Sequence, residues 1–269
     1  MPDLRVLYLG DIMGKPGRQV VAHQLPQLRQ QLQADLVIAQ AENASHGKSI
    51  SPSHLRDMQL AGVDFFTGGN HTLERKAIQP LLSDPAEPII APLNQISSQP
   101  EWGSKRIATP HGDVQITSLL GATFPGGETG LHNPLHAIDQ LLQTDLPAIH
   151  IVNFHGDYSS EKRIIGYYLD GRVSAVIGDH WHVPTADAMI LPGGTAHITD
   201  VGMCGTLHSS LGIKKEIIID RWLGGAANKN ELSDQPPYQL NAVLITISPS
   251  TGQATSIKPI NKITQGHAL

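Results

Sequence analysis

Apolar runs along this chain end, again and again, in the same few polar residue types. Leu4-Arg5-Val6-Leu7-Tyr8-Leu9 is a short β-prone run that stops at Gly10-Asp11, and Leu36-Val37-Ile38-Ala39 is a second that stops at Glu42-Asn43. Residues 63–67 read as a third strand closing on Gly68-Gly69-Asn70-His71. A fourth at 148–154 ends in His155, and a fifth at 172–177 runs into Gly178-Asp179-His180-Trp181-His182. Helical spacing fills the intervals. Val21, Leu25, Leu28 and Leu32 form one stripe from Arg18 onward, with Pro26 expected to kink or restart the helix. Ser51-Pro52 opens the next helix with Ser51 as N-cap, Asn133-Pro134 opens one striped by Leu135, Ile138 and Leu142, and residues 160–169 follow His155.

The remaining segments are less regular. Residues 80–100 carry five prolines and read as connection, with Ile89-Ile90 a short strand; 105–109 and 114–120 read as a hairpin. Beyond Pro192, the segments 195–199, 213–220, 240–247 and 254–257 look β-like, with no helical pattern among them. Strands alternating with helices, then strands alone, define an α/β fold with mixed pairing. No break in composition divides the chain, so residues 1–269 are expected to form a single domain.

Charge narrows the partners. Lys+Arg is 19 and Asp+Glu is 24, so 19 − 24 = −5, and no basic field exists to hold a nucleic-acid duplex by its phosphates. No secretory leader pattern and no apolar span of about 18 residues is present, so no membrane partner is expected and the protein reads as cytoplasmic. The lone Cys204 excludes an internal disulfide framework, and Met203-Cys204-Gly205 suits a small structural residue better than a nucleophile. Oligomeric state, including a homo-oligomer, is left open.

The strand ends carry the chemistry. Asp11, Glu42-Asn43, Asn70-His71, His155 and the His180/His182 pair would all lie at one edge of a largely parallel sheet, where open α/β sheets bind their ligands. Each has an ordinary alternative when taken singly: Asp11 or Asn70 could cap a loop, Glu42 could be a solvated carboxylate, and His155 could be a satisfied core histidine. Independent caps would not select carboxylate, amide and imidazole, without Lys or Arg, at five equivalent ends. Mixed oxygen and nitrogen donors suit Mn, Fe, Zn or Mg ions, and the number of groups suits two ions sharing a bridging carboxylate.

These motifs resemble the successive blocks of the calcineurin-like metallophosphoesterases, and more closely the bacterial YmdB-like phosphodiesterases. The resemblance rests on residues 10–18 (Gly-Asp-Ile-Met-Gly-Lys-Pro-Gly-Arg), Ala41-Glu42-Asn43-Ala44, Gly69-Asn70-His71, Ser160-Glu161-Lys162, Thr185-Ala186-Asp187 and Thr199-Asp200-Val201-Gly202-Met203, in family order across nearly the whole chain. It implies a four-layer α/β/β/α sandwich with two mixed sheets around a dinuclear centre. Where the wider superfamily has Asp-x-His, Met13 stands two past Asp11, and Asn43 takes that duty. The resemblance further implies that Asp11, Asn43 and His182 bind one ion, that Asn70, His155 and His180 bind the other, and that Glu42 bridges. His71 would be the catalytic residue beside the substrate phosphate, and no substrate-binding residue is assigned. The implied cofactors are two divalent ions, iron or manganese ahead of zinc or magnesium. The implied reaction is hydrolysis of small phosphodiesters, 2′,3′-cyclic nucleotides above all, by a metal-bridging hydroxide. The alternative is a metal-bearing regulatory or RNA-end-binding protein in which hydrolysis is incidental. Ala91, Asp179 and Trp181 depart from the family pattern and are expected to alter the pocket wall.

Overall fold

The computed structural model describes residues 2–95, 97–121, 130–226 and 228–266. In chain order the first half comprises β1 (Leu4–Leu9), β2 (Asp11–Ile12), α1 (Gly14–Leu32), β3 (Leu36–Gln40), α2 (Pro52–Leu60), β4 (Phe65–Thr67), α3 (Gln79–Ser83), β5 (Ser104–Thr109) and β6 (Gly112–Leu120). The second half comprises α4 (Pro134–Leu142), β7 (Ile149–His155), α5 (Ser159–Tyr168), β8 (Ala175–Asp179), β9 (Met189–Ile190), β10 (Ala196–Ile198), β11 (Met203–Thr206), α6 (Lys215–Trp222), β12 (Tyr238–Ile247) and β13 (Ala254–Thr264).

Two mixed sheets result. One has the order β2-β11-β12-β1-β3-β4 with β13 beside β12, and the other β5-β6-β7-β8-β10-β9. The strand ends therefore do not share one sheet: β1, β3 and β4 run parallel in the first, whereas β7 and β8 run parallel in the second. Side-chain alternation builds the layers. On β1, Leu7 and Leu9 join the residues of α1 and α2 in one apolar cluster, while Leu4, Val6 and Tyr8 point into the space between the sheets. On β7, Ile149 and Ile151 meet them there, and Val152 and Phe154 face Ile138 of α4 and Ile165 of α5. Three clusters between four layers make the α/β/β/α sandwich.

Several elements differ from the sequence reading. Pro26 lies inside an unbroken α1 on its solvent side, where water can satisfy the carbonyl that loses its N–H partner. Ile89 makes only an isolated parallel bridge to Phe66. Within 213–220 the β-branched run Ile217-Ile218-Ile219 reads as a strand, yet α6 forms there with none of its residues buried. The excursion carrying α6 is closed at its base by a bridge between Ile213 and Leu232, and the isoleucines lie within it. Strands β2 and β11 are too short for an apolar period to show, and they pair with each other in parallel.

Candidate metal centre

The C-terminal ends of the parallel strands in the two sheets face each other, and all seven predicted ligand residues meet there. Among the described residues, the ligand atoms of Glu42, His155 and His180 lie within 4.8 Å of one another. Asn70 joins them, its Oδ1 3.0 Å from His155 Nε2, which is also 3.0 Å from Glu42 Oε1. Beside this group lie Asp11 and His182, with Oδ1 and Nε2 3.7 Å apart. The Asn43 amide ties the two groups together, standing 3.4 Å from Asp11 Oδ1, 3.3 Å from Glu42 Oε1 and 3.3 Å from His182 Nε2. A 180° turn of the Asn43 amide would present its carbonyl oxygen to the same point.

Local backbone conformation makes this convergence. His180 (φ 102°) and His182 (φ 63°) both adopt left-handed conformations that cost an ordinary residue stability, and strain of this kind persists where the surroundings hold it for function. The His180 N–H donates to Asp11 Oδ2 at 3.1 Å and the Trp181 N–H to Asp200 Oδ2 at 2.9 Å, fixing the turn from both sides. Asp200 in turn is paired at 2.7 Å with the fully buried Lys162, whose ammonium also donates to the Asp179 carbonyl at 2.5 Å. Gly69 is required for close approach: a Cβ there would stand 2.4 Å from Glu42 Oε2 and 2.6 Å from the His155 ring.

The imidazoles are held by partners behind them, which selects the nitrogen left facing the cluster. His155 Nδ1 lies 2.7 Å from Asp179 Oδ1, and His182 Nδ1 donates to the Leu211 carbonyl at 3.1 Å. Asp179 is thus no pocket wall. It is fully buried between the sheets, and its second oxygen accepts from Tyr8 Oη at 2.9 Å and Asn153 Nδ2 at 2.6 Å. The β7–β8 register, which sets His155 against Asp179, places it there. Ala91 is likewise buried in the helix-to-sheet cluster. Trp181 lies against Lys162, whose ammonium is 4.3 Å from its ring, and donates its indole N–H to the Asp157 carbonyl at 2.8 Å. Of these roles only Asp179 had a signal in the sequence, a carboxylate directly after a strand glycine, beside the histidine pair.

The electrostatics suit a cation. Burial lowers His180 to about 2 and His182 to about 4, so both rings are neutral at pH 7, the form that ligates metals. Burial and the nearby Asp179 push Asp11 well above the usual carboxylate range, the mark of an anion lacking enough positive charge. Burial opposes ionisation of Glu42, but His155 overcomes it and brings the carboxyl down to about 2. Burial also opposes charge on His155, and Glu42 and Asp179 outweigh it, raising its pKa well above the ordinary value. With Nδ1 committed to Asp179, His155 Nε2 meets two oxygen acceptors, so positive charge belongs at that point, as a proton or as a bound ion. The residues fit a divalent metal.

His71 is not part of the cluster. Its backbone N–H donates to Glu42 Oε2 at 2.8 Å, its Nδ1 is bonded to the Glu74 carboxylate, and its side chain is 33% exposed. It lines a cavity of about 450 Å³ together with Glu42, Asn43, His180 and His182. Cys204 is fully buried, with its thiol pushed up to about 12 by that burial, so it supplies no nucleophile.

A sandwich of this kind, with carboxylate, amide and imidazole donors at its facing strand ends, defines a metallophosphoesterase-like class of protein. Within that class the chain belongs to the YmdB-like protein family, whose model matches residues 7–260. It is 35% identical over 260 residues to the 2′,3′-cyclic-nucleotide 2′-phosphodiesterase of Bacillus subtilis (strain 168), covering 96% of each chain. The crystal structure of a novel phosphatase from Mycoplasma pneumoniae superposes with a TM-score of 0.90 at 33% identity, over 98% of this chain and 95% of that one. That of a hypothetical protein from Thermus thermophilus superposes with a TM-score of 0.87 at 35% identity, over 97% and 99%.

Proposed function

We propose that this protein is a cytoplasmic metal-dependent phosphodiesterase, a single domain that opens 2′,3′-cyclic nucleotides to monophosphates. The observation that carries this is the pair of overlapping donor groups: Asp11, Asn43 and His182 on one side, Asn70, His155 and His180 on the other, with Glu42 between them. Two divalent ions, iron or manganese, held there would neutralise the phosphodiester and acidify a water beside it. The similarity to the Bacillus subtilis cyclic-nucleotide enzyme supports the substrate class.

The remaining work falls to the chain's own groups. Hydrogen bonds from His155 Nδ1 to Asp179 and from His182 Nδ1 to Leu211 hold each ring with Nε2 toward the cluster. His71 is on the cavity wall and anchored through Nδ1 by Glu74, which leaves its other nitrogen for the leaving oxygen. The ribose alkoxide released on ring opening needs a proton, and His71 gives it.

Initial rates with 2′,3′-cyclic AMP and with 3′-AMP, each with added Mn, test the assignment. Rapid opening of the diester, slower attack on the monoester and loss of both with chelator are expected. Faster release from the monoester would make the protein a phosphomonoesterase, and binding without turnover would leave a regulatory role.

A further inference from the structure

The cavity that holds His71, His180 and His182 has a second, chemically different side. Leu211, Ile213 and Leu232 line it together with Met13, Asn230, His46 and Lys48. Leu211 is 47% exposed and Ile213 and Leu232 are only partly buried, so apolar carbon is presented to solvent directly beside a polar cluster. Isolated exposed leucines need no explanation, but apolar side chains converging on one concave site with polar groups opposite are the usual make-up of a ligand pocket. At about 450 Å³ the space falls within the range of such pockets and exceeds what a phosphate needs.

This wall is built rather than incidental. The bridges Ser210 to Ile213 and Ile213 to Leu232 hold its backbone, the Gly212 N–H donates to Ser209 Oγ at 2.9 Å, and the Ser233 N–H donates to the Gly212 carbonyl at 2.8 Å. Leu211 sits at φ 54°, and its carbonyl is the acceptor for His182 Nδ1 at 3.1 Å. The wall and the cluster are therefore in register with each other. The segment carrying His46 and Lys48 is fixed as firmly: Arg75 donates to the Lys48 carbonyl at 2.9 Å and to the Ser45 carbonyl at 3.0 Å, and Lys48 Nζ pairs with Glu74 at 2.7 Å.

Resting on the phosphodiesterase reading, we infer that Leu211, Ile213 and Leu232 are specificity-determining residues that pack against the nucleobase while the cyclic phosphate lies at the cluster. Aliphatic carbon offers neither donor nor acceptor, so these three side chains, unlike Asn230 on the same lining, sense the presence and area of a base rather than its edge. Substrates with a base are thereby preferred over cyclic phosphodiesters without one.

The test compares 2′,3′-cyclic AMP with glycerol 1,2-cyclic phosphate, which has the same five-membered ring and no base, in the parent protein, Leu211→Ala and Ile213→Ala. Trimming a hydrophobic contact costs about tenfold or more in discrimination. The ratio of kcat/KM between nucleotide and baseless substrate is expected to fall about tenfold in Leu211→Ala, mainly through KM for the nucleotide, and in the same direction in Ile213→Ala. An unchanged ratio in both variants, or a parent protein that shows no preference for the nucleotide, would overturn the inference while leaving phosphodiesterase activity in place. A parent protein inactive on both substrates would overturn the reading of the site itself, and this inference with it.

Discussion

Glu42→Gln is expected to remove bound metal from both sides of the cluster at once and to lower phosphodiester turnover by about 10³-fold or more, since two ions held there would supply several kcal/mol of charge stabilisation. The side chain is buried, with Oε1 facing both Asn43 and His155 and Oε2 accepting the His71 N–H at 2.8 Å. Glutamine fills the same volume and its carbonyl oxygen can still accept from His71, so the fold and the Asn70-His71 turn are retained. What is lost is the negative charge shared by the two donor groups. Without it, two dications roughly 4 Å apart repel each other with nothing between them to offset the repulsion. Elemental analysis after reloading with Mn, together with the circular dichroism spectrum, measures the effect. Retention of both ions and full activity in a folded Glu42→Gln protein would place the bridge elsewhere.

His71→Ala separates an enzyme from a metal-binding scaffold. The His71 side chain touches Glu74 and the cavity rather than the clustered Nε2 and carboxylate atoms, so the substitution should leave metal content and folding nearly unchanged. If the imidazole protonates the leaving oxygen, kcat falls by about 10²–10⁴. The deficit should shrink with a nitrophenyl diester, whose leaving group needs no proton. Equal deficits on good and poor leaving groups would assign His71 to positioning or charge stabilisation. Metal loss in proportion to activity would instead mean that His71 supports Glu42 through the turn that carries its N–H.

The strand-end pattern was legible because it repeats: Asp11, Glu42-Asn43, Asn70, His155 and the His180/His182 pair each follow a buried apolar run, and each run is a strand or ends in one. Which sheet each strand joins was not legible from the runs themselves. β1 and β7 are both buried along their whole length or nearly so, and only tertiary pairing puts β12 beside β1 and β8 beside β7. The same limit hid the role of Trp181 and, although a carboxylate beside the histidine pair was a signal, the direction of Asp179. A residue's direction at a strand end depends on the register with its neighbour, so Asp179 turned inward to His155 where a pocket wall was expected. Lys162 and Asp200 stand 38 residues apart in sequence, and nothing local marks them as a buried pair. The helix at α6 escaped because a run of β-branched isoleucines suits a strand by its local pattern.

Phosphodiester hydrolysis is proposed to depend on two metal ions held by one shared carboxylate. Titrating metal-stripped protein with Mn, while recording bound metal per chain and the rate of 2′,3′-cyclic AMP opening in the same samples, tests it most directly. The rate is expected to saturate only as occupancy approaches two ions per chain. A rate that saturates at one ion, or turnover that persists in the stripped protein, would contradict it.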